Sequence, residues 1–565
     1  MPQIAFDRFY QHNELTTLLK AYAAEFPDLV DVTSIGKSHE GRDIWLVTIT
    51  NKSTGIAKDK PAYWCDGNIH ASEVSASTAV LYIINKLCTD QALEVTDVLK
   101  SRAFYLVPRF NPDGAEWALE SPPRIIRSST RPYPYDEDDL YGLERQDIDG
   151  DGRILNMRIS DPNGPWKVCA SEPRLMERRA PGETGGQYYR LFAEGLFHNF
   201  DGLTMRGRAI KEGLDMNRNF PLAWRQEGEQ HGAGPYPTSE PEVRAIVQAI
   251  VDRPNICGAV TFHTFSGVHL RPPSRYPDDD MAPEDLWVFK EFGKKGEELT
   301  GYPAISNFHE FKYHPKEVIT GVFDDWMYEH RGVHAWTTEI WSPQRQAGIT
   351  DYKYIDWFRE HPIEDDIKLL AWSDSALSGK GHIDWYEFEH PQLGPVELGG
   401  WDSLYAFRNP PPEFLEKEVA PFADWVIWQA AASPKLELRA ILMRKAGGTH
   451  IRFAVQNTGY LATNVTEIAK KKKLCRGVVG QITKVDDNTE PRGAMTPPCL
   501  VSGLLRQQTG QLVGWNHVAA SGFGWQMNTT DDVAVFEWVV NEPGAYRLEA
   551  WHERAGRVIE EVTVS

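Results

Sequence analysis

Strand-like runs and helix-like segments alternate through the first two thirds of this chain, and from about Lys435 short strands follow one another alone. Asp43 to Thr50 and Ala103 to Pro108 are rich in Val, Ile and aromatics and read as strands. The apolar spacing of Ser75 to Leu87, Pro241 to Val251 and Leu286 to Leu299 predicts helices. Ile256 to Phe262 and Val333 to Trp341 read as buried strands. Such alternation predicts an α/β fold: a largely parallel or mixed sheet flanked by helices, with functional residues at strand ends and in the loops that follow.

Two changes of texture divide the rest. Residues 131–213 turn rich in Pro, Gly, Asp and Arg with little periodicity, and read as a long ordered insertion within a first domain spanning 1–375. Residues 376–434 are rich in Trp, Pro and Gly and close on a helix-like segment, Pro412 to Ala432, so they read as a connector. Residues 435–565 show alternation of period two with Gly and Asn turns, as in His450 to Gly459, and predict an all-β, sandwich-like domain. A chain of 565 residues is too long for one core, and 41% apolar with 11% aromatic residues suffices for globular folding.

The formal charge of −20 argues against a nucleic-acid partner. The one basic run, Lys470 to Lys473, reads as a solvated turn. No run of about eighteen apolar residues is present, so a membrane span is not expected. The first residues lack the basic-then-apolar pattern of a secretory signal, and the 6 cysteines form no close pairs; both point to a reducing, cytoplasmic setting.

His70 and Glu73, in Trp64-Cys65-Asp66-Gly67-Asn68-Ile69-His70-Ala71-Ser72-Glu73, place an imidazole and a carboxylate three residues apart just after a strand-like run. Catalytic zinc sites use three protein ligands and keep a fourth position for water, and His263, which ends another buried strand, is the third candidate. His-x-x-Glu is weak evidence alone, for it recurs at His314/Glu317 and His361/Glu364, each with proline directly after the histidine. Delivery by a buried strand and a Gly-Asn turn favours His70.

With His70 and Glu73, the segments Asn111-Pro112-Asp113-Gly114, Leu214 to Phe220, Phe262 to Ser266 and Ala335 to Ile340 follow in an order that resembles the zinc carboxypeptidases of the A and B type; Gly36 to Arg42 resembles an early turn of that family. The resemblance implies one catalytic Zn²⁺ held by His70, Glu73 and His263. It implies Glu339 as general base and Arg127 as stabiliser of the oxyanion, with Arg124 and Arg131 as competitors for the latter role. Asn217 and Arg218 would bind the free C-terminal carboxylate of a peptide substrate, and Asp215 would orient His70. Asp324, in Gly321 to Trp326, falls where basic-specific members carry their specificity residue, so removal of C-terminal Lys or Arg is expected. Tyr313 is nearest in sequence to the family's mobile tyrosine, although its spacing to Asp325-Trp326 is longer than the family's. Digestive members carry an arginine between the His and Glu ligands where this chain has Ser72.

Asp147, Asp149 and Asp151 occupy the first, third and fifth positions of a calcium loop, with Gly152 at the sixth, but the twelfth position is Arg158, which excludes a standard EF-hand. Two readings stand: a structural Ca²⁺ completed by other residues, or a tight acidic turn without metal. For the whole chain the competing functions are a peptidase on peptides or cell-wall peptides, a related zinc deacylase of N-acyl amino acids, and a binding protein on a peptidase scaffold. The Asn-Pro-Asp-Gly turn and the strand bearing Glu339 favour the peptidase, and a binding protein would be expected to lose ligands or base.

Overall fold

The structure, a computed structural model, describes residues 2–134, 141–207, 211–314, 316–486, 494–516 and 529–565. Its centre is an eight-stranded mixed sheet: β1 (Val30–Lys37), β2 (Asp43–Ile49), β3 (Ala62–Gly67), β4 (Ala103–Val107), β5 (Ile256–Thr264), β6 (Val268–Arg271), β7 (Ala304–Ser306) and β8 (His334–Ile340). Their spatial order is β1-β2-β4-β3-β5-β8-β6-β7. The inner pairs β4–β3, β3–β5 and β5–β8 are parallel, whereas β1–β2, β2–β4 and β6–β8 are antiparallel.

Every residue of β3 and β5 is buried, which explains why apolar residues predominate on both faces of each strand. Alternate side chains feed two different cores. Tyr63 and Cys65 join one together with Val80, Phe289, Phe422 and Trp425, from helices Ser75–Thr89, Pro283–Thr300 and Pro412–Ala431. Ala62 and Trp64 join the other, with Val243, Ile246, Phe323 and Trp326 from the opposite face. Helices Pro283–Thr300 and Pro412–Ala431 approach closely at Gly296, where an added Cβ would lie 2.9 Å from the Trp425 ring.

Residues 376–434, expected as a connector, are instead built into this first body. Strands His382–His390 and Gly394–Trp401 extend a six-stranded sheet made otherwise of four short strands of the insertion. Arg158 faces Glu397 in register and donates two hydrogen bonds of 2.8 Å to its carboxylate. Two-sided burial of the helix that follows then fastens the segment to the central sheet.

The C-terminal region forms a four-stranded and a five-stranded antiparallel sheet whose inner faces, including Phe453, Phe536, Trp538, Ile482, Tyr546 and Leu548, share one core. It docks beneath the central sheet, at the amino end of β8. Arg554 is buried and donates to Gly332 O and Asn464 O at 3.0 Å and to Arg331 O. Asp285 accepts the Glu467 amide at 2.7 Å. The basic run is not a turn: Lys470 to Lys472 close a short helix, Glu467–Lys472, with Lys473 in the left-handed region after it. Among the described residues no helix is long and apolar enough to cross a membrane.

Candidate active site

β3 ends at Gly67, where a Cβ would meet Ala76 O at 2.5 Å. The next residue, Asn68, has φ of 64° and donates its amide to His70 O at 2.7 Å. This bent turn projects His70 over the carboxyl ends of the strands, and Glu73 follows just before helix Ser75–Thr89. His263 arrives from the end of β5, and Glu339 sits opposite it in register on β8.

These donors converge. His70 Nδ1 lies 2.9 Å from Glu73 Oε1, His263 Nδ1 lies 3.3 Å from Glu73 Oε2, and the two Nδ1 atoms are 3.1 Å apart. All three side chains are buried, with one ligand atom from each within 4.8 Å of the others. Two imidazole nitrogens and a carboxylate aimed at one point are the donor number and type of a catalytic zinc site. Burial lowers His263 to about 4, which leaves it the neutral imidazole that metal binding requires. Burial acts to raise Glu73, but the two imidazoles beside it hold its carboxyl well below the ordinary range.

Asp215 is the hub behind this group. Its Oδ1 lies 3.2 Å from His70 Nε2, which leaves Nδ1 to face Glu73 and His263. The same carboxylate accepts the Asn217 amide at 2.8 Å and Arg127 Nε at 3.0 Å, and Arg218 Nη2 is 3.7 Å away. Burial opposes the charge on Asp215, yet Arg127 and then Arg218 hold it well below its usual value. Of the three arginines weighed from sequence, Arg127 faces the site, with Nη1 3.6 Å from Glu73 Oε1. Arg124 is committed to Glu120 and Arg131 to Glu240, at 2.8 and 2.6 Å.

The surrounding turns interlock. Asn111 caps its helix through the Gly114 amide and donates to Ser128 O at 2.7 Å, while Asp113 accepts Ser38 Oγ, the Glu40 amide and Arg42 Nη1, each at 2.7 Å. The Asn-Pro-Asp-Gly turn thereby ties the early Gly36 to Arg42 turn to the loop that carries Arg127.

Asn217, Arg218, Tyr313, Asp324 and Glu339 line one cavity beside His70 and His263. Asp324 is buried at its floor and accepts Asn307 Nδ2 at 2.8 Å; burial raises its carboxyl. Tyr313 is 52% exposed at the mouth, held through its carbonyl by Arg359. A second cavity of about 360 Å³ shares His70, Arg127, Tyr313 and Glu339 with the first and is lined further by Glu73, Phe265, Phe358, Arg359 and Arg408. Burial first, and the neighbouring Glu73 second, push Glu339 well above the ordinary carboxyl range, against the pull of Arg127 and Arg408.

The other His-x-x-Glu pairs are elsewhere: His361 stacks on Trp357 at 3.9 Å and bonds Asp366, and His314 accepts the Lys316 amide. Asp147, Asp149 and Asp151 do gather within 4.8 Å. They already accept the amides of Gly150, Gly152, Asp151 and Arg153, which is the bonding of a tight acidic turn, so the calcium expectation gains no support. Sequence reading missed Asn307, Phe265, Phe358 and Arg408. None carries a local signal, and Arg408 lies in the stretch taken for a connector.

Residues 435–563 match a domain of unknown function. Carboxypeptidase B of Astacus astacus is 29% identical over 158 residues, 28% of this chain and 44% of that protein. Carboxypeptidase D of Mus musculus is 31% identical over 116 residues, 20% of this chain and 8% of its own length. The chain thus spans less than half the length of these curated relatives. Among solved structures, thrombin activatable fibrinolysis inhibitor gives a TM-score of 0.42 at 17% identity, covering 75% of this chain and 74% of its own. Carboxypeptidase A from Helicoverpa armigera gives 0.42 at 18%, covering 76% and 74%. The sequence profile described as zinc carboxypeptidase matches residues 15–360, a span that contains every strand of the central sheet together with His70, Glu73, His263 and Glu339, and the chain belongs to that family.

Proposed function

We propose that this chain is a zinc metallocarboxypeptidase that removes the last residue of peptides, with a preference for Lys or Arg. The observation that carries the reading is the convergence of His70, Glu73 and His263 beside Glu339, between one cavity floored by Asp324 and a second, larger one. His70, Glu73 and His263 would hold the ion, which when bound supplies Lewis acidity and an acidified water.

The chain's own residues supply the rest. Arg218 and Asn217 offer a forked cation and an amide to the terminal carboxylate, which sets the depth to which a peptide end enters. The buried Asp324 at the cavity floor favours a cationic terminal side chain, since pairing relieves the cost of its own desolvation. Glu339, whose proton affinity is raised by burial and by Glu73, takes a proton from the attacking water and returns it to the leaving amine. Arg127, fixed through Nε to Asp215, keeps Nη1 free to donate to the oxyanion as it forms.

Hydrolysis of acylated dipeptides ending in Lys and in Phe tests this reading. Faster release of Lys, abolished by a chelator and restored by zinc, is expected. A strong Phe preference ends the specificity proposal, and activity on acetylated amino acids but not on peptides replaces the peptidase with a deacylase.

A further inference from the structure

Residues Ser403–Arg408 form a single wide helical turn that begins under Asp402, whose carboxylate accepts the Leu404 and Tyr405 amides at 3.1 and 3.0 Å. Trp341 donates its indole N–H to Ala406 O at 3.0 Å, which pins the turn to the end of β8. The residue that follows, Asn409, is fully buried and locked into the turn that carries His70 and Glu73. Its Nδ2 donates to Ser72 O at 2.7 Å, and its Oδ1 accepts the Ser75 amide at 3.0 Å, the kind of helix-start donor that otherwise lacks a partner. Arg408 therefore leaves a backbone held on both sides.

The Arg408 side chain enters the second cavity, 33% exposed, where its closest carboxylate is Glu73 Oε1 at 3.8 Å from Nη1. That is beyond hydrogen-bond reach, and among the described residues no acceptor is within it. A guanidinium carries five N–H donors, and leaving them half-desolvated without acceptors costs free energy that a ligand can recover. Phe265 and Phe358, edge to face at 5.4 Å, form the apolar wall of the same cavity. The residues assigned to the terminal carboxylate and side chain, Asn217, Arg218 and Asp324, line the other cavity. Because Glu339 lines both cavities, a peptide seated in the first by its last residue would pass Glu339 and continue into the space that Arg408 overlooks.

Resting on the carboxypeptidase reading, we infer that Arg408, which lies outside the family-matched residues 15–360, is a substrate-binding residue that donates to the main-chain carbonyl preceding the scissile residue pair, with Phe265 and Phe358 as the apolar bed for that residue. The segment between the family-matched region and the C-terminal module would thus complete the upstream half of the site.

The test uses the full-length, zinc-loaded protein and two substrates of nearly equal shape: the benzoylglycyl and the 4-phenylbutanoyl derivatives of whichever amino acid the wild type releases best. The second has methylenes in place of the upstream amide. Arg408→Met is expected to lower kcat/KM on the benzoylglycyl substrate by about tenfold to a hundredfold, chiefly through KM, and on the other by less than about threefold. Arg408→Lys should recover part of the loss, and zinc content should match the wild type. Equal losses on both substrates, or a fall in zinc content, would overturn the inference while leaving the carboxypeptidase reading intact. A wild type inert on both substrates removes that reading, and the inference with it.

Discussion

His263 and Glu339 face each other in register across the parallel pair β5–β8, so a ligand candidate and the candidate base emerge side by side from one stretch of sheet. Neither position depends on a loop conformation. The base is held by the same ladder that carries the histidine.

Glu339→Gln should keep the shape of the site while removing its proton acceptor. Turnover of a Lys-terminated peptide is expected to fall by about a thousandfold, with KM little changed. Steady-state kinetics alongside zinc analysis check this; retention of wild-type turnover would remove Glu339 from the mechanism.

Asp215 holds His70 and Arg127 at once, so its loss should be felt in both metal affinity and rate. Asp215→Asn is expected to weaken zinc binding by about tenfold to a hundredfold, read by competition with a chromogenic chelator. An unchanged affinity would mean that His70 is oriented by its turn alone.

Glu242 offers a pH signature away from the site. Burial, with a smaller push from Asp113, raises its carboxyl from 4.5 to about 7, and its Oε1 accepts the His39 amide at 2.8 Å. Below pH 4.5 the group is protonated in folded and unfolded chains alike, and its contribution to stability is fully present. Between pH 4.5 and 7 the unfolded chain ionises first, so that contribution is lost as pH rises, by up to about 3 kcal/mol. Glu242→Gln should therefore melt higher than the wild type at pH 8 and converge with it near pH 4.5, in thermal melts across that range.

Arg554 fastens the C-terminal module to the amino end of β8, seven residues of strand and turn away from Glu339. Replacing it with Met strands the carbonyls of Gly332, Arg331 and Asn464, at a cost of about 3 kcal/mol. A lowered melting temperature with unchanged kcat at 25 °C is expected. A matching loss of kcat would show that the module acts on the site.

Much of this protein was legible in its residues because the signals were local. Ile256 to Phe262 and Val333 to Trp341 read as buried strands because two-sided burial favours apolar and β-branched residues on both faces, and β5 and β8 occupy those positions. His70 and Glu73 were legible because a Gly-Asn turn and a three-residue spacing set their geometry within one segment.

What no segment carries alone had to wait for the tertiary structure. Three arginines compete within eight residues of sequence, and only their partners separate them: Glu120 and Glu240 take Arg124 and Arg131, while Asp215 takes Arg127. Strand Gly394–Trp401 finds its second partner, Asn156–Ser160, more than two hundred positions earlier, and short strands of mixed polarity do not name a partner. Arg408 comes to the cavity beside Glu73 because Asn409 is clasped by Ser72 and Ser75. Sequence alone determined which residues could form strands, helices and a donor set; long-range hydrogen bonds and burial decided which of them meet, because such contacts form only once distant segments share one core.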